Sequence, residues 1–453
     1  MVLKSLFGTS GIRGEAEKLF TNQFCFDIAQ AFVFFLEKHQ QSGPVAVGLD
    51  PRESSPKILE AIESGLLATG RKVVDQGVVP TPALNWLLKV APYAGSVMVT
   101  GSHIAANLNG LKFFAFQEEI LKKHEKEISQ IYFEIKGKKE KPKKVLPLVE
   151  EKIEEKKAKE AYQEMLFNLA DKPLPKWKLV MVDTGNGGQS ETMPQVLQRL
   201  GLQIKTINDS LQGEFIARDT ETEGVLQDLQ TLVKKEKADL GIAYDYDGDR
   251  VIFIDEKGNF IPGDYSGALI AQFSDTPVVV TPINTSQVVD QIDKKVVRTK
   301  VGSPYVVEAM KKNKATFGFE ANGGGVSAEV MFSRDGGSTT IKILNLLKKK
   351  QCSLSSLVAT LPRFFSYRLK VACPRNLNQA IMEVAEKQYK DSRLEKLDGL
   401  KIWLDSTSWL LFRPSSNENA FRVFAEAENQ AKAKSLSEKG VELVNQVIKK
   451  GGQ

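Results

Sequence analysis

The sequence predicts an α/β protein with three similar domains, each built on a mixed, largely parallel sheet, followed by a smaller C-terminal α+β domain. Two observations lead to this fold class. The 453 residues are enough for roughly three or four domains of ~100–150 residues each. An order of strand, loop, helix and strand occurs three times along the chain, which is typical of α/β domains.

The three repeats begin with short apolar runs, which are typical of the buried strands of parallel sheets. These runs are "VAVGLD" at 45–50, "WKLVMVDTGNGG" at 177–188 and "TPVVVTPINTS" at 276–286. The helices predicted after them are "SPKILEAIESGLLATG", "MPQVLQRLGL" and "QVVDQIDK", and the second strands are "KVVDQGVV", "QIKTIND" and "KVVRTKVGS".

The last part of the chain has a different pattern, with a helix predicted near 377–390 and strands at 400–404 and 409–412. A Lys- and Glu-rich segment at 117–160 suits a solvated helix or a connection between domains. We therefore expect domains at 1–150, 151–258, 259–367 and 368–453.

The bulk composition excludes several classes of protein. A net charge of +6, from 62 Lys and Arg against 56 Asp and Glu, is too diffuse for a nucleic-acid binder. The three cysteines have no metal-type spacing and fit a reducing compartment. Because the N-terminal stretch lacks the apolar core of a secretion signal and no run reaches ~18 apolar residues, we expect a cytoplasmic protein that does not span a membrane.

The first candidate site is "TGSHIAANLNGLKF" at 100–113, after a predicted strand at 96–100. Ser102 follows the carboxyl end of that strand, where α/β sheets place ligands, and we expect it on an exposed loop. Asn107, Asn109 and Gly110 predict a tight turn that returns Lys112 towards the serine. The Ser102–His103 pair is not a hydrolase signature, because chain neighbours rarely face each other and no acid lies nearby. A turn serine with a surface lysine is the alternative.

The second candidate is "AYDYDGDRVIFID" at 243–255, where Asp245, Asp247 and Asp249 alternate between two apolar strands. Three close carboxylates repel each other unless a cation compensates, and their hard oxygens suit Mg²⁺. An EF-hand is excluded, since its sixth position needs glycine and here is Arg250, and since strands flank the loop. A structural Asp-rich hairpin remains the alternative.

The third and fourth candidates are polar loops. In "FGFEANGGGV" at 317–326, Glu320 and Asn322 suit sugar hydroxyls, and the three glycines allow close backbone approach. We expect Gly302 and Ser303 to contact the substrate as well. The loop in "LLFRPSSNENAFRVFAEA" at 410–427 offers donors suited to phosphate oxygens, namely Arg413, Ser415, Ser416, Asn417 and Arg422. A Gly-rich turn and an ordinary polar hairpin are the alternatives.

Together with the N-terminal "FGTSGIRG" at 7–14, these four stretches resemble the α-D-phosphohexomutase family, the phosphomannomutases and phosphoglucomutases. The family patterns "TASHNP…NGxK", "DGDGDR", "GExSGH" and "RxSGTEP" or "RxSNTEP" read here "TGSHIAANLNGLK", "DYDGDR", "FEANGG" and "RPSSNEN". The resemblance extends from Phe7 to about Ala427, with five motifs in the family order.

The resemblance implies four domains around a central cleft and an intramolecular phosphotransferase that moves a phosphoryl group between O1 and O6 of a hexose phosphate. It implies that Ser102 carries the phosphoryl group through a hexose 1,6-bisphosphate intermediate, which also serves as activator. Mg²⁺ would be held by the three aspartates and an oxygen of phospho-Ser102, with Arg13 and Arg250 as fixed positive charges. His103 and Lys112 are the expected proton-transfer groups. We expect a monomer or a weak homodimer.

Four positions depart from the family patterns. Ile104 and Ala105 replace the Asn and Pro of "SHNP", Gly324 stands where the third motif has histidine, and Asn417 stands at the Thr position of the fourth. Phosphomannomutase or phosphoglucomutase is the first expectation, and the serine in "GTSGIRG" argues against a bacterial-type phosphoglucosamine mutase. A non-catalytic sugar-phosphate-binding relative is the alternative from another class.

Overall fold

The computed structural model describes residues 6–137, 152–175, 177–218, 220–221, 223–415 and 419–451. In this part of the chain, helices and strands form four units. The first unit contains β1 (Ile12–Glu15), α1 (Ala16–Leu19), α2 (Asn22–Lys38), β2 (Val45–Leu49), α3 (Ser55–Leu67), β3 (Val73–Val78), α4 (Thr81–Val90), β4 (Gly95–Val99), β5 (Leu108–Ala115), β6 (Glu118–Glu119), α5 (Lys122–Gly137) and β7 (Lys152–Glu154).

The second and third units follow the same plan. The second contains α6 (Lys157–Leu169), β8 (Val180–Asp183), α7 (Met193–Arg199), β9 (Ile204–Ile207), a 3₁₀ helix (Glu223–Leu226), α8 (Gln227–Glu236), β10 (Leu240–Tyr244), β11 (Val251–Ile254) and β12 (Phe260–Ile261). The third contains α9 (Gly263–Phe273), β13 (Val278–Pro282), a 3₁₀ helix (Gln287–Gln291), β14 (Lys295–Thr299), α10 (Ser303–Asn313), β15 (Phe317–Phe319), β16 (Gly325–Ser327), β17 (Met331–Arg334), α11 (Gly336–Lys350) and α12 (Leu354–Val358).

The fourth unit has an antiparallel sheet of its own. It contains β18 (Phe365–Ala372), a 3₁₀ helix (Arg375–Leu377), α13 (Asn378–Gln388), β19 (Arg393–Glu395), β20 (Leu400–Trp403), β21 (Trp409–Pro414), β22 (Ala420–Ala427) and α14 (Gln430–Gly451). Its strand order is β18-β22-β21-β20-β19. The predicted fold class, three similar α/β domains and a smaller C-terminal domain, is confirmed.

The three repeats share one strand order. In each, the first strand lies between the second and the third in parallel, and a fourth and a fifth strand continue on the side of the third. The orders are β3-β2-β4-β5-β6, β9-β8-β10-β11-β12 and β14-β13-β15-β16-β17. The loop between the third and the fourth strand therefore occupies the same place in all three repeats.

Two features of the sheets were not predicted. The first and third repeats belong to one 12-stranded sheet, joined where Phe332 of β17 pairs with Glu118 of β6. The strand β7 lies beyond residue 150 and pairs with β3 of the first sheet.

The predicted helix after the third repeat's first strand is only the 3₁₀ turn Gln287–Gln291.

The apolar core is shared unequally among the units. One cluster of buried side chains includes Ala46, Val182 and Leu344, and so extends through the first three units. The fourth unit has a separate core under α13 and α14. The Lys- and Glu-rich segment contributes α5, which packs on α2 through buried residues such as Ile128, while 138–151 lies outside the described residues. Among the helices that the structure describes, none combines the length and apolarity needed to cross a membrane.

Candidate active site

The equivalent loops of the three repeats meet at one place. Ser102 lies in the β4–β5 loop, and its Oγ donates a hydrogen bond to Oδ2 of Asp245, in the β10–β11 loop, at 2.8 Å. Arg334, at the end of β17, donates to Asp249 of the second loop and to Glu320 of the third, each at 2.8 Å. The repeated strand order thus explains why residues far apart in the chain converge.

The Ser102 loop differs from its prediction in two respects. Ser102 is fully buried, with 0% of its surface exposed, because the second repeat covers it. Asn109 and Gly110 do not form a turn, since both lie in β5, where Gly110 pairs with Arg13 of β1. A Cβ on Gly110 would lie 2.7 Å from the carbonyl oxygens of Ile12 and Thr100, so the glycine permits close packing of strands.

Ser102 has a backbone φ of +53°, in the left-handed region that non-glycine residues adopt at a cost. Its amide donates to Oγ1 of Thr100 at 2.8 Å, and its Oγ lies 3.3 Å from Nδ1 of His103. The conformation turns the hydroxyl out of the strand direction and towards the aspartates.

A buried arginine that sequence reasoning missed braces this loop. Arg52 donates hydrogen bonds to the carbonyl oxygens of Ser102, Ile104, Ala105 and Leu108 at 2.6–3.0 Å. Its guanidinium lies 4.3 Å from the ring centroid of Phe215, a residue of the second unit. Three carbonyls of the loop and the first carbonyl of β5 therefore accept from one cation, which fixes the backbone around the serine.

Asp50 in turn holds Arg52 and the start of the loop. Its carboxylate accepts from Nε of Arg52 at 3.1 Å, from Oγ1 of Thr100 at 2.7 Å and from Oγ of Ser55 at 2.7 Å. The "DPR" after the apolar run of β2 is a signal that could have indicated this pair, because β2 is the neighbour of β4.

The aspartates of the second loop form a fully buried cluster. One carboxylate oxygen from each of Asp245, Asp247 and Asp249 lies within 4.8 Å of the other two. Lys112, only 2% exposed, donates to Oδ2 of Asp247 at 2.6 Å and to Oδ2 of Asp249 at 2.7 Å. Repulsion among the carboxylates is therefore already compensated by side-chain cations, a point that the sequence argument for a metal did not foresee.

The charges shift the pKa values of the cluster in opposite directions. Burial, together with the charges of Asp247 and Asp249, raises the pKa of Asp245 to about 8. Burial also acts to raise the pKa of Asp247, but Lys112 and Thr81 outweigh it and hold that pKa below its usual range. The cluster thus has one carboxyl that favours a proton and one that is firmly ionised.

The pKa values of the basic residues of the site are shifted as well. Burial opposes charge on Lys112, but the aspartates outweigh it and raise its pKa. Burial and the charges of Arg250 and Arg13 keep the pKa of His103 well below its ordinary value. Burial, and then Arg250, also lower the pKa of Arg13 to about 10. Arg13 and Arg250 therefore place positive charge close enough to His103 to oppose its protonation.

Two carboxylate oxygens of the cluster indicate room for a cation. Oδ1 of Asp247 and Oδ1 of Asp249 are buried and have no hydrogen-bond partner among the described residues. Buried carboxylate oxygens are normally paired, and hard oxygens clustered in this way fit Mg²⁺. The nearest further cation is Arg250, whose Nε lies 3.8 Å from Oδ1 of Asp249, too far for a hydrogen bond.

The third loop is arranged around Arg334. Glu320, 4% exposed, directs Oε2 to that arginine. Asn322 is turned towards its own loop, since its Oδ1 accepts from the amide of Gly324 at 3.1 Å. Of the two predicted sugar-binding side chains, Glu320 is therefore linked to the aspartate cluster, through Arg334.

Gly302 and Ser303 lie against the N-terminal loop rather than in the aspartate cluster. Oγ of Ser303 donates to Oε2 of Glu119, whose other oxygen accepts from Oγ of Ser10 at 2.6 Å. Gly302 has φ +134°, and a Cβ there would lie 2.9 Å from Cγ2 of Thr9. This loop therefore joins the third unit to "FGTSGIRG".

The fourth-unit loop is described only in part, because Ser416 and Asn417 lie outside the described residues. Arg413 donates from Nε to Oδ2 of Asp398 at 2.8 Å, and the same oxygen accepts from the amide of Val301 at 2.9 Å. Asp398 thus connects Arg413 with the loop that holds Gly302. Ser415 closes the hairpin through its amide, which donates to the carbonyl of Ala420 at 2.9 Å.

The strand register places a row of cations beside this loop. Arg413 of β21 is directly opposite Arg422 of β22, which is directly opposite Lys370 of β18. Residues directly opposite one another lie on the same face of a sheet, so the three side chains are neighbours. Lys370 was missed by sequence reasoning, because only the register brings it to the two arginines.

Comparison with known proteins is consistent with this arrangement over nearly the whole chain. Three domain descriptions match: "Phosphoglucomutase/phosphomannomutase, alpha/beta/alpha domain I" at residues 4–139, domain II at 160–258 and domain III at 262–364. A phosphoglucomutase/phosphomannomutase of Thermococcus kodakarensis is 35% identical over 98% of this chain and 99% of its own length. A probable phosphoglucosamine mutase of Methanopyrus kandleri is 32% identical over 98% of each chain.

Solved structures share the fold at lower identity. A phosphoglucomutase/phosphomannomutase family protein from Burkholderia thailandensis has a TM-score of 0.80 at 21% identity, covering 99% of this chain and 98% of that one. An N-acetylphosphoglucosamine mutase variant from Aspergillus fumigatus, in complex with glucose 1,6-bisphosphate, has a TM-score of 0.62 at 15% identity, covering 98% and 95%.

Proposed function

The chain belongs to the phosphoglucomutase/phosphomannomutase family of α-D-phosphohexomutases, and on that premise we propose that Ser102 is its phosphoryl carrier. The protein is an isomerase of the intramolecular phosphotransferase type. The observation that supports Ser102 is its position: its hydroxyl bonds Asp245 at 2.8 Å inside a cluster of arginines and a lysine. Phosphoryl transfer depends mainly on such positioning and on charge stabilisation.

The reaction that we propose has two transfers. In the first, the bond between phosphorus and Oγ of phospho-Ser102 breaks, and a new P–O bond forms to the free hydroxyl oxygen, O1 or O6, of the hexose phosphate. In the second, after the bisphosphate has turned, the other phosphoryl group returns to Oγ. His103 and Lys112 are the proposed proton-transfer groups. Nδ1 of His103 lies 3.3 Å from Oγ of Ser102, and Nζ of Lys112 bonds Asp247 at 2.6 Å.

We propose that Asp245, Asp247, Asp249 and the Ser102 phosphate hold Mg²⁺, supported by the two buried carboxylate oxygens without partners. When bound, Mg²⁺ would neutralise charge on the phosphoryl oxygens. Arg13 and Arg250 add fixed positive charge around the same group. Glu320 is the proposed contact for sugar hydroxyls, joined by Asn322, Gly302 and Ser303 once the loops close on substrate.

The fourth unit is the proposed grip for the phosphate that does not react. The cross-strand pair of Arg413 and Arg422, extended by Lys370, supplies positive charge of the kind that binds a phosphate. Ser415, Ser416 and Asn417 complete the proposed grip. The bisphosphate bound by the Aspergillus fumigatus relative is a ligand of this chemistry, and we propose hexose 1,6-bisphosphate as the activator here.

Among substrates, glucose and mannose phosphates are our first choice and glucosamine phosphate the second. The 35% identical relative carries the first name and the 32% identical one the second. We also propose a cytoplasmic monomer or weak homodimer; the cytoplasmic location is supported by three cysteines that are all unpaired.

A coupled assay tests the function. Glucose, mannose and glucosamine 1-phosphates are supplied with Mg²⁺ and the matching 1,6-bisphosphate, and intact mass is measured for one added phosphate. We expect turnover with at least one substrate and a phosphate that maps to Ser102. Absence of both turnover and phosphate would favour the non-catalytic sugar-phosphate-binding alternative.

A further inference from the structure

Position 324 requires a glycine because of the space around it, and not because of its backbone conformation. In this loop the left-handed glycine is Gly323, with φ +87°, whereas Gly324 does not have a positive φ. A Cβ on Gly324 would lie 2.7 Å from Cδ, 3.0 Å from Cγ and 3.2 Å from Cβ of Arg334. Real Cβ atoms do not approach so closely, so any larger residue at 324 would displace the stem of that arginine.

Arg334 enters the space above Gly324 and reaches the centre of the site. It is 4% exposed, and its two terminal nitrogens bond Asp249 and Glu320 at 2.8 Å each. It is therefore the one described side chain that hydrogen-bonds both the aspartate loop and the third loop through side-chain carboxylates. Arginine is not deprotonated in proteins, so this side chain places a cation between the two carboxylates.

Arg334 also has one donor that the protein does not use. Its Nε is buried and has no hydrogen-bond partner among the described residues. Buried donors are normally satisfied, so this Nε remains available to an oxygen-bearing ligand between the two loops. A hydroxyl or phosphoryl oxygen of a hexose phosphate has that chemistry.

We propose that Arg334 is the positioning residue of the sugar loop in this chain, fixing Glu320 for the hexose, and that Gly324 is glycine in order to admit it. The inference rests on the proposed function, because it assumes a hexose phosphate between the two loops. It also accounts for the departure of the third motif: where the family pattern has a side chain at this position, here an arginine from β17 fills the volume.

The test compares variants for affinity and turnover with glucose 1-phosphate and glucose 1,6-bisphosphate, using calorimetric Kd, KM and kcat. In Arg334→Ala the ligand loses the contact with Nε and Glu320 is no longer held, so Kd and KM should rise roughly 10- to 150-fold, the effect of losing a charge-assisted contact of ~1.5–3 kcal/mol. Arg334→Lys should recover only part of this, since an ammonium cannot span both carboxylates with the geometry of a guanidinium.

Gly324→Ala is the sharper variant, because it keeps every polar group and should still weaken binding by displacing Arg334. Gly324→His combined with Arg334→Ala should bind better than Arg334→Ala alone, since an imidazole then fills the vacated volume. Arg298→Ala is the matched control: this arginine bonds Asp290 and carbonyls of its own unit, so it should lower Tm without changing Kd.

The outcomes separate the two proposals. A wild type that binds but does not turn over any hexose phosphate would defeat the mutase function, while Kd would still decide the role of Arg334. Wild-type Kd and KM in Arg334→Ala and Gly324→Ala, or changes equal to those in Arg298→Ala, would overturn the inference. If Arg334→Ala does not fold, Gly324→Ala and Arg334→Lys decide it.

Discussion

The first three units and the fourth are joined to the rest of the molecule in different ways. The first three share a continuous apolar core, and two of them share a sheet. The fourth meets the third through a small apolar cluster that includes Ile283 and Trp409, and otherwise through polar contacts. Glu426, for example, accepts from the amide of Gln287 at 2.8 Å, and Arg368 bonds Asp264 at 2.8 Å.

This difference teaches how the site is divided. Ser102, the aspartates and Glu320 belong to the part with one core, so their relative positions are fixed by dry packing that cannot be rearranged cheaply. Arg413 and Arg422 belong to the fourth unit, which has a core of its own and meets the third unit through one small apolar cluster and a few polar bonds. We therefore expect substitutions in the first three units to affect catalysis, and substitutions in the fourth unit to affect binding of the phosphate that does not react.

Loss of the Ser102 hydroxyl should have the largest effect on turnover, and it tests the role of the first three units in catalysis. In Ser102→Ala, turnover of a hexose 1-phosphate should fall by on the order of 10³-fold or more, because no atom remains to carry the phosphoryl group. Stability should fall by only about 1 kcal/mol, the value of the lost bond to Asp245. Steady-state kcat and Tm are the measurements.

Ser102→Gly is the control for backbone strain, since glycine adopts the φ of +53° at no cost. It should be as inactive as the alanine variant and at least as stable as it. Turnover near that of wild type in either variant would show that another group carries the phosphate.

Removal of the metal should have the next largest effect. A cation at the aspartates is worth several kcal/mol of charge stabilisation, so excess chelator should lower kcat by roughly 10²–10³-fold, and added Mg²⁺ should restore it. Asp247→Asn, which removes one charge at constant size, should resemble chelation and should not be rescued by Mg²⁺. Full activity in chelator would mean that Lys112 and the arginines suffice.

Arg52→Lys tests whether the brace on the loop matters for chemistry. A lysine cannot bond four carbonyls at once, so we expect Ser102 to be misplaced and kcat to fall ~10²-fold with little change in KM. Arg71→Lys is the control, because Arg71 bonds the carbonyl of Gly43 and pairs with Glu37 in the same unit, away from the Ser102 loop. Equal kcat in the two variants would contradict the prediction.

On the other side of the comparison, Arg413→Ala should weaken grip and leave chemistry intact. The loss of a charge-assisted contact of ~1.5–3 kcal/mol corresponds to a rise in KM of roughly 10- to 150-fold. Because the intermediate must also be held while it turns, more bisphosphate should escape per turnover. Arg393→Ala, which removes an exposed arginine of the same unit, is the control. Unchanged KM and unchanged bisphosphate release would show that the fourth unit is not the grip.

The smallest expected effect concerns stability at the boundary of the fourth unit. Lys401 is buried there, 4.0 Å from the ring centroid of Trp409, and burial lowers its pKa from 10.5 to about 7. Between these values the unfolded lysine binds a proton that the folded one does not, so the free energy of unfolding should rise with pH, by up to about 1.4 kcal/mol per unit.

Lys401→Met should remove this rise and leave a flatter pH dependence from pH 7 to 10. Denaturant unfolding of both proteins across that range measures the difference, which isolates Lys401 from other titrating groups. Parallel curves for the two proteins would show that Lys401 keeps its proton when folded.

The sequence predicted those features that depend on neighbours in the chain. The apolar runs that became β2, β8 and β13 predicted the repeats, and the motifs directly after later strands contain Ser102 and the aspartates. What the sequence could not predict depends on contacts across the fold. Ser102 is buried because the second repeat covers its loop, which no local pattern records.

The missed residues have the same explanation. Arg52 lies 50 residues before the loop that it braces, and it reaches it only because β2 is adjacent to β4. Arg334 reaches the site only because β17 ends there and because Gly324 has no side chain in its way. Lys370 lies beside the two arginines only because of the register of β18 against β22. In a single sequence each of these is an ordinary surface cation.

The shared strand order of the three repeats has a consequence for protein engineering. The loop between the third and the fourth strand has the same position in all three repeats. We therefore expect that this loop can be exchanged without changes to the two strands that flank it. For example, the segment equivalent to 317–326 could be taken from a relative that prefers another sugar, together with the residue at position 334 that contacts it. From the role proposed for Glu320, we expect such a chimera to change sugar preference while the Ser102 loop and the aspartate loop stay native.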